Sequence, residues 1–245
     1  MEQKVAVLMQ WIEESDNIVF FGGAGVSTES NIPDFRGPHG LYNQNHEYPH
    51  PPEVMLSASF FYAHPADFFR YHFDKLVYAD AKPNAAHHAL ARLEKTGKLK
   101  AIITQNVDGL HQMAGSENVL ELHGSARRNY CLNCGVKYSF SYVLEQSPGV
   151  PHCLDCGGIV RPDVVLYEEA LPQAVLAAAE KAINKADTMI VGGTSLVVYP
   201  AAGLIKMFRG RHLVIINIEP TDYDKQADLI LRDPIGKVLG AAISD

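Results

Sequence analysis

The sequence predicts an α/β fold, a doubly wound parallel sheet interrupted by one small inserted module. Three observations predict it. Short apolar runs alternate with segments of helical periodicity over most of the chain. Five of those runs end in glycine, hydroxyl or amide residues, where an open parallel sheet presents its ligand-binding groups. All four cysteines fall between Cys131 and Cys156, where the alternation stops.

The 245 residues amount to roughly 1.6 typical domain lengths, which suits one large domain carrying a smaller one. A hydrophobic content of 47% against 20% charged residues supplies a core and excludes disorder. Lys and Arg number 21 against 28 Asp and Glu, a net charge of −7. No basic field exists to hold a phosphate backbone, so no nucleic-acid partner is expected. The longest apolar stretches, such as 188–198, fall short of the ~20 residues that span a bilayer, so no membrane association is expected. Met1-Glu-Gln-Lys-Val lacks a positive leader followed by an apolar run, which predicts no secretory signal and a cytoplasmic chain.

In order along the chain, Val5, Leu8, Met9 and Ile12 predict a helix over 4–15. Asp16-Asn17 ends it, and 18–23 reads as a buried strand running into a glycine turn. From Val26 to Tyr78 the pattern is irregular, rich in Pro, His and aromatic residues, and reads as a long functional loop. Ala86, Leu90 and Leu93 predict a helix over 84–95, closed by Gly97. Strands are expected at 101–104 and 118–122, and a strand-like run at 159–167. Helix 171–186, strand 188–192, helix 201–208, strand 213–218, strand 228–231 and a helix from about Ile235 complete the chain. The run at 213–218 is almost continuously apolar, as a strand covered on both faces requires. The expected division is a Rossmann-like domain from 1–33, 83–128 and 159–245, with 129–158 as the inserted module.

Cys131-Leu-Asn-Cys134 and Cys153-Leu-Asp-Cys156 are two CxxC knuckles with 18 residues between them, the spacing of a four-cysteine zinc ribbon. The segment is too short and polar to bury a core of its own, and bound Zn²⁺ would supply its folding energy. With every ligand position filled by cysteine, no coordination site stays open, so the zinc is expected to be structural.

Gly22-Gly-Ala-Gly25-Val-Ser-Thr follows the first predicted strand and would let backbone amides approach a diphosphate. Thr28 replaces the third glycine of GxGxxG, so by itself the turn does not separate nucleotide binding from an ordinary strand exit. No GxxxxGK[ST] occurs, which disfavours a P-loop ATPase. The turn leads to Ile32-Pro-Asp-Phe-Arg36, and further strand ends carry Thr104-Gln-Asn-Val-Asp108, Leu122-His-Gly124, Gly193-Thr-Ser195 and Ile216-Asn-Ile218. With the two cysteine pairs, these motifs in this order resemble the sirtuins, NAD-dependent protein-lysine deacylases, from about Ile18 to the C-terminus, and the compact bacterial members most of all.

The resemblance implies NAD as co-substrate, one structural Zn²⁺ and acetylated-lysine proteins or peptides as partners. It implies that the acyl oxygen attacks C1′ of the nicotinamide ribose, nicotinamide leaves, and an O-alkylimidate forms that cyclises and is resolved by water to deacylated lysine and O-acyl-ADP-ribose. His123 would be the general base and Asn106 would share the catalytic set, an imidazole suiting proton transfer near neutral pH. Gln105, Asn106 and Asp108 would face the nicotinamide ribose and carboxamide. Phe35 would shield the reacting ribose from water, with Arg36 near the phosphates. Gly23, Ala24, Gly25, Thr28, Gly193, Thr194 and Ser195 would surround the diphosphate, Asn217 the adenosine ribose, and Ile235 the adenine. The stretch 34–82 would form the cofactor-binding loop and the helical part of the small domain. Val165 and Tyr167 would bind the peptide as an added strand.

Glu168 stands where the family commonly has glycine, which would put negative charge beside the peptide and favour basic flanking residues. Phe69–His72 reads Phe-Arg-Tyr-His at the place of a Tyr-x-x-Arg acid-acyl signature, so acidic acyl groups are disfavoured. Other readings are mono-ADP-ribosyl transfer from the same bond cleavage, or a zinc- and NAD-binding module without chemistry. A hydride-transferring dehydrogenase would leave the QNxD and HG elements unexplained.

Overall fold

The structure, a computed structural model, describes residues 1–38, 40–43 and 48–243. Its larger layer is a six-stranded parallel sheet built from β1 (Ile18–Gly22), β2 (Leu99–Thr104), β3 (Val119–Glu121), β7 (Thr188–Gly192), β8 (His212–Ile216) and β9 (Leu229–Leu231), in the order β3-β2-β1-β7-β8-β9. Every residue of β1 and β7 is buried, because both faces are covered. The period-two alternation divides β1 cleanly. Ile18 and Phe20 join the cluster under helices α1 (Glu2–Glu14), α5 (Ala85–Lys95) and α9 (Ile235–Ala242), while Val19 and Phe21 join the cluster under α8 (Gln173–Lys185) and the 3₁₀ helix Ala201–Met207. The helix expected at 201–208 is thus 3₁₀ rather than α.

The sheet register sets the site. Glu121, Thr104, Gly22, Gly192, Ile216 and Leu231 are neighbours across the sheet and are the last residues of their strands. All six strands therefore deliver their next residues to one edge, with the order reversing between β1 and β7, the switch point where such sheets bind ligands.

Two expectations need correction. The stretch 26–78, which reads as irregular, holds the short helices α2 (Pro52–Met55), α3 (Ala58–Ala63) and α4 (Pro65–Lys75). Prolines open α2 and α4 and the Ser57 hydroxyl caps α3, so breakers spaced through the sequence are helix starts here. Their side chains Met55, Phe60, Phe61, Phe68, Phe69 and Tyr71 form a separate aromatic cluster. The run at 159–167 does not join the large sheet. Within it β6 (Val160–Val164) pairs antiparallel with β4 (Gly124–Cys131), which also pairs with β5 (Lys137–Tyr138). The polar β4 has no apolar run to announce it, because tertiary pairing rather than burial pattern makes it a strand. A six-residue helix α7 (Phe140–Glu145) and the short α6 (Leu110–Met113) were also silent in the sequence.

Candidate active site

The glycine turn after β1 is pressed against the exit of β7. Gly23 and Gly25 donate backbone N–H groups to the carbonyls of Gly192 (3.3 Å) and Gly193 (2.8 Å). A Cβ on Gly193 would lie 2.4 Å from the Val26 nitrogen, and its φ of +58° is left-handed, so both space and backbone demand glycine. These two glycine amides are therefore committed to the protein. Among the described residues the amides of Ala24, Thr194 and Ser195 have no protein acceptor, and they sit at the same two strand exits. They, rather than those of Gly23 and Gly25, form the donor set that suits a diphosphate. The Thr28 hydroxyl closes back on the Gly25 carbonyl at 3.0 Å.

His123 follows β3 by two residues. Its Nδ1 lies 2.9 Å from the Gln105 carbonyl oxygen, which can only accept, so the proton is on Nδ1 and Nε2 carries a lone pair. Burial pushes the imidazole below its ordinary value of 6.5, partly opposed by that hydrogen bond, and keeps it neutral. Gly124, directly behind it, has φ +76°, and a Cβ there would lie 2.0 Å from the Asp163 carbonyl. Glycine after the histidine is what lets β6 close over this turn. The Val165 amide then donates to the His123 carbonyl at 2.9 Å, tying the 165–167 segment to the base.

Asn106 and Asp108 converge through a residue the sequence reading did not single out as a site residue. Ser27, 1% exposed, donates to Asp108 Oδ2 (2.7 Å) and accepts from Asn106 Nδ2 (3.1 Å). The signal was present as the hydroxyl two residues past Gly25 inside the turn motif. Asp108 Oδ1 accepts the Leu110 amide (2.8 Å), and Arg127 Nε holds the Asp108 carbonyl (2.7 Å). Gln105 Nε2 reaches Thr194 Oγ1 at 3.1 Å, joining the β2 and β7 exits. This network fixes the rotamers of three polar side chains before any ligand arrives.

The loop carrying Phe35 is folded on itself, with Leu41 and Tyr42 amides bonded to the Asp34 and Phe35 carbonyls, both at 2.9 Å. Arg36 is exposed and lies over the Tyr42 ring at 4.8 Å. The expected peptide edge is clamped on one side: the Tyr167 amide bonds Leu56, and the Ala58 amide bonds Tyr167, both at 3.0 Å. Glu168 adopts φ +77°, the backbone that glycine takes easily. Its carboxylate accepts from the Ser59 amide and hydroxyl, both at 2.9 Å, and so caps α3 rather than standing free beside a peptide. Phe69 and His72 are buried in the aromatic cluster, and the Arg70 guanidinium is exposed and paired with Asp67. Asn217 directs its amide to the Glu219 carbonyl at 2.7 Å. Ile235 is 4% exposed and packs against Gly192, so its side chain belongs to the core.

The cysteines form a separate centre in the inserted module. Their sulfurs all lie within 4.8 Å of one another, and the Cys131–Cys156 and Cys134–Cys153 pairs are 3.5 Å apart. A tetrahedral ZnS₄ centre with ~2.3 Å bonds has edges of roughly 3.8 Å, so this set fits Zn²⁺. Each knuckle closes with an amide bond, Gly135 to the Cys131 carbonyl (3.0 Å) and Gly157 to that of Cys153 (2.9 Å). The Tyr138 hydroxyl donates to Cys153 Sγ at 3.1 Å, and this bond lowers the thiol's pKa towards the thiolate a metal needs. Four thiolates leave no open position, so the centre is structural.

Residues 23–200 match the Sir2 family. An NAD-dependent protein deacetylase from Clostridium perfringens is 59% identical over 99% of this chain and 100% of its own length. One of the same name from Clostridium acetobutylicum is 58% identical over 98% of each. Among solved structures, a Sir2 with p53 peptide and NAD⁺ matches with TM-score 0.83 and 42% identity over 95% of this chain and 94% of that one. A Sir2Tm bound to a propionylated peptide matches with TM-score 0.83 and 40% identity over 96% and 95%. A family match over most of the chain, and relatives this similar over nearly their whole length, settle the matter: the chain belongs to the Sir2 family.

Proposed function

We propose that this protein is an NAD-dependent protein-lysine deacetylase that moves the acyl group of lysine to ADP-ribose, consuming one water and giving nicotinamide, deacylated lysine and O-acetyl-ADP-ribose. NAD supplies the electrophilic ribose carbon and the nicotinamide leaving group. The observation that carries the reading is His123, a neutral imidazole whose Nδ1 is committed to the Gln105 carbonyl and whose Nε2 can take a proton. In this reading the His123 base removes a proton from a ribose hydroxyl, a step worth typically 10²–10⁴-fold.

The uncommitted amides of Ala24, Thr194 and Ser195 hold the diphosphate, with Gly23, Gly25 and Gly193 allowing the close approach. Asn106, fixed by Ser27, faces the ribose, and Asp108 accepts from the carboxamide through the lone pairs its two internal bonds leave free. Phe35 excludes water from the reacting centre. Thr28, Arg36 and Gln105 line the diphosphate and ribose, while Asn217 and the backbone start of α9 at Ile235 border the adenosine. An acetylated peptide adds a strand along Val165 and Tyr167. The division into a Rossmann-like domain (1–33, 83–128, 159–245), a cofactor-loop and helical part (34–82) and a zinc module (129–158) belongs to this reading.

A cytoplasmic location fits cysteines used as metal ligands rather than disulfides, and among the described residues no helix is long and apolar enough to cross a membrane. Mass spectrometry of an acetyl-lysine peptide incubated with protein and NAD tests the reading. Equal amounts of nicotinamide, free-lysine peptide and O-acetyl-ADP-ribose are expected. ADP-ribosylated protein without deacylated peptide would replace it with transfer to a side chain.

A further inference from the structure

Where the Phe35 loop meets the peptide edge, two phenols touch. Tyr42 Oη and Tyr167 Oη are 2.9 Å apart, and both residues are half-buried. Tyr42 belongs to the shielding loop, tied by its amide to the Phe35 carbonyl, with its ring 6.1 Å from that of Phe35. Tyr167 belongs to the edge anchored on Leu56 and Ala58, two residues from the Val165 amide that holds the His123 carbonyl. Around them Phe35, Val164 and Tyr167 pack on the cluster of Met55, Leu56 and Phe60, while the Arg36 guanidinium lies over the Tyr42 ring at 4.8 Å.

The hydroxyl chemistry is simple to count. Two phenols bring two protons, and their mutual hydrogen bond uses one. Among the described residues neither hydroxyl has a second side-chain or backbone partner, so one O–H remains available at the wall between the loop and the edge. An aliphatic group pressed over that donor would strip its hydration and return nothing, whereas an oxygen on the group would accept it.

We propose that the Tyr42–Tyr167 hydroxyl pair makes this protein select, among short neutral acyl groups on lysine, those bearing a hydroxyl beyond the acyl carbonyl over their plain aliphatic counterparts. The inference rests on the deacylase reading and refines its substrate class. A single neutral hydrogen bond gives a preference of about 3- to 10-fold.

The test compares kcat/KM for one peptide carrying acetyl-, butyryl- or 3-hydroxybutyryl-lysine, using the full chain, Tyr167→Phe, and the double variant Tyr42→Phe/Tyr167→Phe. The native chain is expected to favour 3-hydroxybutyryl over butyryl by that factor, and the double variant to bring the ratio to about one. Tyr167→Phe alone leaves one phenol proton, the number the native pair leaves free, so its ratio is expected to stay close to the native one, and the native ratio itself keeps the test alive if the double variant does not fold. A native ratio at or below one overturns the proposal. So does a uniform fall for all three acyl groups with the ratio kept, since that marks a latch between loop and edge. Native protein that deacetylates but shows no preference leaves the deacylase reading standing, whereas no turnover of any acyl peptide removes both.

Discussion

The large sheet and the cysteine module are stabilised by different means. The sheet carries apolar clusters on both faces, with residues such as Phe20, Ile102, Val191 and Ile215 fully or nearly fully enclosed. The module's own cluster is Cys131, Val143, Cys153 and Val160, and two of those four are ligands. Burial that small cannot offset the ordering of some thirty residues at ~1–2 kcal/mol each, so the metal must hold the module together. The contrast teaches where each region is vulnerable: the sheet to lost volume or misplaced glycine, the module to lost ligands. The site lies where the two meet, with His123 at the sheet's edge and β4 running from Gly124 to Cys131.

The largest effect should come from the module. Cys131→Ser is expected to release zinc in a chromogenic chelator assay and to lower deacetylation by more than about 100-fold, since metal binding supplies on the order of 10 kcal/mol to such modules. Circular dichroism should still show the sheet's cooperative melt. A variant with full activity and no metal would erase the contrast. At the joint, Gly124→Ala forces an unfavourable left-handed residue and a clash with the Asp163 carbonyl. A loss of about 3 kcal/mol or more in urea unfolding is expected, with activity falling alongside. An unchanged midpoint would show that β6 does not bear on the His123 turn as the geometry requires.

Proton linkage probes the protein outside the cysteine module. Burial lowers His72 and His87 to about 4 and His111 to about 3 from 6.5. The unfolded chain therefore binds more protons than the folded one below pH 6.5, and stability should decline as pH falls from 6.5 towards 4. The slope is on the order of 1 kcal/mol per pH unit for each histidine. Urea midpoints across that range measure it, and a flat profile would mean these rings are charged or hydrated in the native state. Catalysis should share the direction: His123 is also lowered, so kcat/KM should hold at pH 7 and fall only on the acid side of 6.5.

The smallest effect is expected at Glu168→Gly. Glycine relieves a left-handed residue, about 1 kcal/mol, while loss of the Ser59 cap costs about as much. Melting temperature should barely move. A large drop would mean the cap dominates the anchoring of the peptide edge.

Much of the site could be read early because its chemistry is local. The strand exits carry their glycines, amides and His123 in short motifs, and each CxxC pair is a single turn whose geometry depends on residues within it. Where sequence reading failed, the cause was non-local. The helices between Pro52 and Lys75 are short and held by a shared aromatic cluster, so no single window shows a full amphipathic period. Gly23 and Gly25 suggested diphosphate donors, yet their amides are taken by the β7 exit 169 and 168 residues away in sequence. Ile235 looked like a cofactor neighbour, and the structure buries its side chain against Gly192.

The amino-acid order alone determined the parallel alternation, the tetrathiolate and the set of polar residues at strand exits, because periodicity and turn chemistry act between near neighbours. Only the tertiary structure decided which amides stay free, which nitrogen of His123 carries the proton and how Ser27 locks Asn106 to Asp108. Those outcomes depend on partners that lie about 18 to 170 residues apart along the chain and meet only when the sheet register brings its strand ends into one row.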